Sequence, residues 1–360
     1  MCAEHKNITS TFIFSNSCDS KKRFGITENG NIYSKNAQPA QNIYQRRIAR
    51  LYRCQSAISY RTDALITSLI KTIAGGNERL AVSSTMIPEI YNIISDFSYK
   101  SGIICIDFNS PKSLQTATSM GVKAVFMSAS SLEFSGLSIA QAHKICNKAH
   151  IPLIIDNTLT TPYLYNPFDD GADVVIETSQ LISAGDEKNS YTTLLEKGNF
   201  RWMKNNRYSK LYPYRNNNYP LLSYLKSHLK RNTIYSEKET QSEFFMLCEG
   251  LRTLENRINI HSYNNKIIAK IIQRYSTEIS YNIYYGKPSI FLKAKLLPEF
   301  INLLKNKLTY ITVNRKSQLF GIYTSTAVYF EENTIYIKFG TEPINYLKQL
   351  FKVKQTPYKS

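Results

Sequence analysis

The apolar positions of this chain fall into short runs that alternate with stretches of helical period. Residues 79–83 (RLAVS), 103–107 (IICID), 122–127 (VKAVFM), 151–156 (IPLIID) and 173–177 (DVVIE) are brief and mostly rich in Val and Ile. Runs of this kind, bounded by turn residues, read as strands buried on both faces of a sheet. Between them, 62–74, 88–99, 110–120 and 138–149 carry apolar residues at helical spacing. Pro88 and Pro111 take first-turn positions, where a missing N–H costs nothing, and Ser110 is placed to cap its helix. Such alternation predicts a mostly parallel, doubly wound α/β sheet with right-handed crossovers. Ahead of it, 41–52 predicts a helix, and short extended pieces at Ser10–Phe12 and Ile32–Lys35 suggest an arm.

The alternation stops over 190–235, which is polar, basic and rich in Tyr and Asn. A long helix is predicted over 244–273, with Leu251, Leu254, Ile258, Ile267, Ile268 and Ile271 as its apolar stripe. Beyond it, strands are expected at 289–296, 309–313 and 334–340, and helices at 298–308 and 343–354. The expected division is an arm and helix over 1–60, a large α/β domain over 61–235 and a smaller α+β domain over 236–360.

Composition changes this picture little. The chain has 360 residues and 42% hydrophobic content, enough for two cores. No apolar run reaches the roughly 18 residues of a membrane helix. The start, MCAEHKNITS, lacks a basic segment followed by an apolar one, so no signal peptide is expected. The six cysteines form no C-x-x-C pair, which suits a reducing, cytoplasmic setting. The formal charge of +18 is large, and 26 tyrosines accompany it. Lys and Arg are spread along the chain; the densest stretch is Arg201–Arg215, where cations interleave with aromatics. That stretch suits a solvated basic face better than a single-strand grip.

Candidate chemistry gathers at the strand ends. The runs ending at Asp156 and Glu177 place carboxylates where parallel sheets bind ligands. The five histidines show no ligand spacing, no metal site is expected, and no G-x-S-x-G or phosphate-binding loop is present.

Four stretches, in order, carry a resemblance: IYSKNAQPA (32–40), IDNTLTTPYLYNPFDDGADVVIETS (155–179), EGLRTLENRI (249–258) and TIYIKFGTE (334–342). They resemble the pyridoxal-phosphate-dependent trans-sulfuration enzymes of cysteine and methionine metabolism. The resemblance implies the type I fold of those enzymes, with a mostly parallel cofactor domain and a C-terminal α+β domain. It also implies pyridoxal 5'-phosphate as cofactor and homodimers, usually paired into tetramers. The implied chemistry is β- or γ-elimination or replacement on a cysteine-, cystathionine- or O-acylhomoserine-like amino acid.

Carried over position by position, the resemblance meets departures. Asp156 matches the aspartate that keeps the cofactor's ring nitrogen protonated. Thr178 retains one phosphate-binding hydroxyl, but Gln180 replaces the second hydroxyl residue. Leu181 stands where the family has its imine-forming lysine, and Lys188 is the nearest amine. The phosphate turn at a helix N-terminus reads Thr62-Asp63-Ala64, which puts a carboxylate beside a dianion. The ring-stacking aromatic aligns with Met86. The arm that reaches the neighbouring subunit's phosphate reads Tyr33-Ser34-Lys35, losing the guanidinium fork. The substrate-carboxylate arginine aligns with Tyr336, and Thr324 lies in the stretch that resembles the substrate loop. Together these departures predict a catalytically impaired homologue, able to serve as a non-catalytic partner of an active paralogue. A surviving lyase or transferase is the alternative, and a basic nucleic-acid module the remote one.

Overall fold

The computed structural model describes residues 39–130, 135–183, 190–232, 241–315 and 325–352. The expected strands of the first half form one seven-stranded sheet. In chain order they are β1 (Ser56–Arg61), β2 (Arg79–Ser83), β3 (Ile104–Phe108), β4 (Val125–Ser128), β5 (Leu153–Asp156), β6 (Val174–Thr178) and β7 (Tyr191–Glu196). Their order across the sheet is β1-β7-β6-β5-β4-β2-β3, and β7 alone runs against its neighbours β6 and β1. Every residue of β4, β5, β6 and β7 is buried, as expected of strands covered on both faces. β3 differs: it lies at the sheet edge, and Ile104, Cys105 and Asp107 are exposed.

Helices α1 (Pro39–Leu51), α2 (Thr62–Ile73), α3 (Pro88–Lys100), α4 (Pro111–Ser119) and α5 (Ile139–Ala149) cover the sheet. Their starts follow the local sequence. Ser110 with Ser113, and Ser138 with Gln141, form reciprocal capping pairs that satisfy the first free N–H groups. α1 belongs to the core of this sheet, where Tyr44, Ile48 and Tyr52 are buried.

Two strands of this sheet escaped the sequence pattern. β1 (SAISYR) and β7 (YTTLLE) are short of Val and Ile, yet they pair along their whole length, from Ser56 opposite Glu196 to Arg61 opposite Tyr191. After β7 the chain straps back over the large sheet. Trp202 and Tyr208 are buried with Phe200 in an edge-to-face cluster. Trp202 donates its indole N–H to the buried Glu196 carboxylate at 2.7 Å. Arg207 donates to the carbonyls of Ala149 and His150. Trp202 and Tyr208 of Arg201–Arg215 are therefore spent on packing, while Arg201, Lys204, Lys210 and Arg215 are exposed. Helix α6 (Pro220–Asn232) ends this part.

α7 (Gln241–Ile272) joins the two halves. Phe244, Leu251, Leu254 and Ile258 pack into the first core, Ile268 and Ile272 into a second. That second core underlies a four-stranded antiparallel sheet of order β12-β13-β11-β8: β8 (Ser276–Ser280), β11 (Phe291–Leu296), β12 (Ala327–Glu331) and β13 (Thr334–Lys338). A two-residue ladder of β9 (Ile283–Tyr284) and β10 (Lys287–Pro288) precedes β11, and α8 (Pro298–Lys307) and α9 (Ile344–Phe351) complete the unit. The strand expected at 309–313 is instead a 3₁₀ turn over Thr309–Ile311, with one bridge from Thr312 to Val328. Among the described residues, no helix is long and apolar enough to cross a membrane.

Candidate active site

β5 delivers Asp156 to the carboxyl end of the sheet, where it is 1% exposed. One carboxylate oxygen accepts from the Thr158 N–H at 3.1 Å and the Thr158 hydroxyl at 2.7 Å; the other accepts from the Ile87 N–H at 3.3 Å. Burial raises the Asp156 pKa above the usual carboxylate range, and these bonds oppose the rise. The Thr158 hydroxyl also accepts from the Thr178 N–H at 3.1 Å, tying the ends of β5 and β6 together. The Thr178 hydroxyl is buried and meets no hydrogen-bond partner. Met86 is buried next to Ile87 in the chain.

Glu177, the other strand-end carboxylate, is used differently. It is fully buried and accepts from the Tyr52 hydroxyl, which in turn accepts from the Asn157 amide at 2.7 Å. Burial first, then the nearby Asp156 charge, pushes the Glu177 carboxyl well above its ordinary range. Tyr52 directly follows α1, so this contact anchors the helix end to the sheet.

A second polar group surrounds the start of α2. The Thr62 and Ser190 hydroxyls lie 2.6 Å apart, and Thr192 donates to Thr62 at 3.0 Å. The Gln180 amide donates to Ser190 at 3.3 Å and to the Glu89 carboxylate. Asp63, in the first turn of α2, is exposed and raises the Glu89 pKa by its charge, though burial is the larger cause. The expected positions Thr62, Asp63 and Gln180 thus do converge. Glu89 and Ser190 complete the group, and the sequence did not point to either. A Glu in a first helical turn after Pro reads as ordinary dipole compensation.

Leu181 follows, fully buried in the apolar core. Arg257 of α7 donates to the carbonyl oxygens of Leu181, of Ile182 at 3.0 Å and of Gly250 at 3.0 Å. Gly250 permits the approach: a Cβ there would lie 2.0 Å from the Ile182 carbonyl oxygen. The EGLRTL stretch is thereby a clamp on the turn after β6.

Tyr336 lies in the C-terminal sheet. Its hydroxyl donates to Glu331 at 2.9 Å, and the Lys293 ammonium sits 5.8 Å from its ring. It lines a cavity of about 570 Å³ with Lys270, Gln273, Asn282 and Lys293, all of the C-terminal half. Two residues along the same strand, Lys338 is fully buried, and burial pushes its pKa down to about 7. Its ammonium donates to the Ser325 carbonyl at 3.3 Å. Tyr33, Lys35, Lys188 and Thr324 lie outside the described residues. Among the described residues, no cluster of His, Cys, Asp and Glu could hold a metal ion.

The family model for the Cys/Met metabolism PLP-dependent enzymes matches residues 4–295. The chain belongs to this family. It is 27% identical over 199 residues to the O-acetyl-L-homoserine sulfhydrylase of Leptospira meyeri, a match covering 54% of this chain and 45% of that one. It is 26% identical over 289 residues to the homocysteine synthase of Schizosaccharomyces pombe, covering 74% of this chain and 66% of that one. The chain's match therefore spans from about half to two thirds of these relatives' own length. Among solved structures, an O-acetylhomoserine (thiol)-lyase from Campylobacter jejuni superposes with TM-score 0.76 at 20% identity, covering 97% of this chain and 94% of that one. That protein carries N'-pyridoxyl-lysine-5'-monophosphate. Cystathionine γ-synthase of Xanthomonas oryzae superposes with TM-score 0.69 at 14% identity, covering 96% and 91%. These likenesses establish the type I fold.

Pyridoxal phosphate is the family's cofactor. Among the described residues the donor set does not fit it. At the positions the resemblance gives to the imine and the phosphate, a leucine has no amine to offer an aldehyde, and the Glu89 and Asp63 carboxyls bring negative charge rather than donors. The buried Asp156 and the unpartnered Thr178 hydroxyl are the elements that remain compatible.

Proposed function

We propose that this trans-sulfuration-family chain keeps the fold of its relatives without their covalent cofactor chemistry. The observation that carries the reading is Leu181: it stands at the position the resemblance gives to the lysine, lies in the apolar core, and its carbonyl is gripped by Arg257. The role that fits is a non-catalytic partner in the cytoplasm, pairing as a homodimer or homotetramer or with an active paralogue, to which the Tyr33 and Lys35 arm would be donated. The free cysteines Cys54, Cys105, Cys146 and Cys248 agree with a reducing compartment. The test is the visible absorption of the purified chain with added pyridoxal phosphate, followed by borohydride reduction and mass analysis. No protein-linked chromophore and no reduced adduct are expected; an adduct on Lys188 would overturn the reading. Failure to co-assemble with an active homologue on mixing would remove the partner role.

A second reading keeps an enzyme. Asp156 and the unpaired Thr178 hydroxyl are what favour it. The substrate would be a cysteine-, cystathionine- or O-acylhomoserine-like amino acid and the reaction a β- or γ-elimination or replacement. The same adduct on Lys188 is the result that would establish it.

A further inference from the structure

We propose that the place this family gives to the cofactor's phosphate is filled from within the chain, by the carboxylate of Glu89. The inference rests on the assignment of Leu181 to the lysine position and goes beyond it: restoring the lysine would not restore preference for a phosphate.

Three positions that correspond to phosphate contacts are Thr62, Thr178 and Gln180. Two of them, Thr62 and Gln180, are already linked through Ser190. Gln180 donates to Glu89 and, at 3.3 Å, to Ser190; Ser190 and Thr62 share a 2.6 Å contact; Thr192 donates to Thr62 at 3.0 Å. Glu89 is thus the acceptor at the end of a hydroxyl and amide relay that begins at the N-terminus of a twelve-residue helix. That helix end carries partial positive charge and favours an anion. In this chain two of its own carboxylates supply the charge, Asp63 in the first turn and Glu89 across from it. The bonds from Ser190 and Gln180 favour the charged form of Glu89 against its partial burial.

Of the remaining polar atoms the Gln180 carbonyl oxygen points the same way, whereas the Thr178 hydroxyl stays open to an acceptor. The Gln180 carbonyl oxygen and the Thr178 hydroxyl are buried without partners. A phosphate dianion gives no proton to an amide oxygen, so the Gln180 carbonyl would remain unpaired beside one. A dianion entering here meets one carboxylate in contact with Gln180 and a second at the helix start. Like charges so close disfavour joint ionisation. The family's helix-terminus anion site is retained in its electrostatics and closed in its occupancy.

The experiment compares pyridoxal phosphate with pyridoxal, which lacks the phosphate, on Leu181→Lys and on Leu181→Lys/Glu89→Gln. Binding is read from the visible absorption band and from the borohydride-reduced mass adduct. Leu181→Lys should take pyridoxal at least as well as pyridoxal phosphate, and adding Glu89→Gln should raise the relative affinity for pyridoxal phosphate tenfold or more. A tenfold preference of Leu181→Lys for pyridoxal phosphate that Glu89→Gln leaves unchanged overturns the inference. Should a lysine in the core prevent folding, inorganic phosphate at constant ionic strength replaces the aldehydes. It should raise the melting temperature of Glu89→Gln and leave that of the unaltered chain where it was; equal protection of both chains would overturn the inference. An adduct of the unaltered chain that prefers pyridoxal overturns only the lost-lysine reading and supports Glu89. One that prefers pyridoxal phosphate overturns both.

Discussion

Replacing Gly250 by Ala should weaken this protein even though alanine is the better helix former. Gly250 lies inside α7 with an ordinary helical backbone, so intrinsic propensity favours Ala there by about 1 kcal/mol. The added Cβ, however, would lie 2.0 Å from the Ile182 carbonyl oxygen and 2.9 Å from its carbon. Carbon contacts are comfortable at about 3.5 Å, so helix and turn must separate by roughly 1.5 Å. Neither contact is the tip of a flexible side chain, and no rotamer change relieves it. The separation falls on the same surface where Arg257 holds Leu181, Ile182 and Gly250. Overpacking costs about 1–3 kcal/mol, and a strained or lost bond to a charged donor about 1.5–3 kcal/mol. After the propensity gain, a net loss of about 1.5–5 kcal/mol is expected. Urea denaturation followed by tryptophan fluorescence measures it, since Trp202 is the single tryptophan and is buried. Asn256→Ala, at an exposed position of the same helix, is the control. A Gly250→Ala chain as stable as the unaltered one would refute the idea that the turn after β6 is clamped against α7.

Two further expectations concern pH. Burial raises the Asp173 carboxyl to about 7, above its unfolded value, so the folded state binds the extra proton and stability should fall as pH rises from about 4 to 7. Asp173→Asn keeps an acceptor for the Leu153 N–H, bonded at 2.9 Å, and should reduce that fall by about 1–3 kcal/mol between pH 5 and 7 in urea titrations; an unchanged slope would exclude Asp173 as its source. Lys338 runs the other way: its folded pKa of about 7 lies below the unfolded value, so stability should rise by about 2 kcal/mol between pH 7 and 9. Lys338→Met should remove that rise in denaturation midpoints at the two pH values, and its persistence would assign the rise to other groups.

Much of the large sheet was legible because its central strands are runs of Val and Ile with turn residues at both ends. β2 was read with its boundaries, and β5 and β6 with their terminal carboxylates. β1 and β7 were not, because Ser, Thr, Tyr and Glu dominate them; their burial depends on partners that local pattern does not record, such as the 2.8 Å contact of Ser59 with Thr193. The TYITV stretch misled for the opposite reason: β-branched residues suggest a strand, but no neighbour extends the pairing beyond one bridge. At the site, Asp156 and Glu177 stood out at strand ends, and Thr178 was named through the resemblance. The Glu89–Gln180 contact joins residues of different elements, and nothing in either local sequence announces the other. Gly250 stood in plain view within EGLRTL, but only the approach of Ile182 explains it.

The antiparallel strand β7 has a consequence for how the chain assembles. β1 pairs with β7 alone, so a segment made near residue 60 has no place in the sheet until residues 191–196 exist. The five strands β2 to β6 can associate meanwhile, leaving the free side of β6 as a bare edge, a template for unwanted pairing. The Tyr52 hydroxyl likewise has Glu177 as its acceptor, so this anchor of α1 forms only once β6 is in place. Docking of α1 and β1 should therefore be a late, non-local and comparatively slow event. A chain cut before Tyr191 would keep a parallel half-sheet with α1 and β1 undocked.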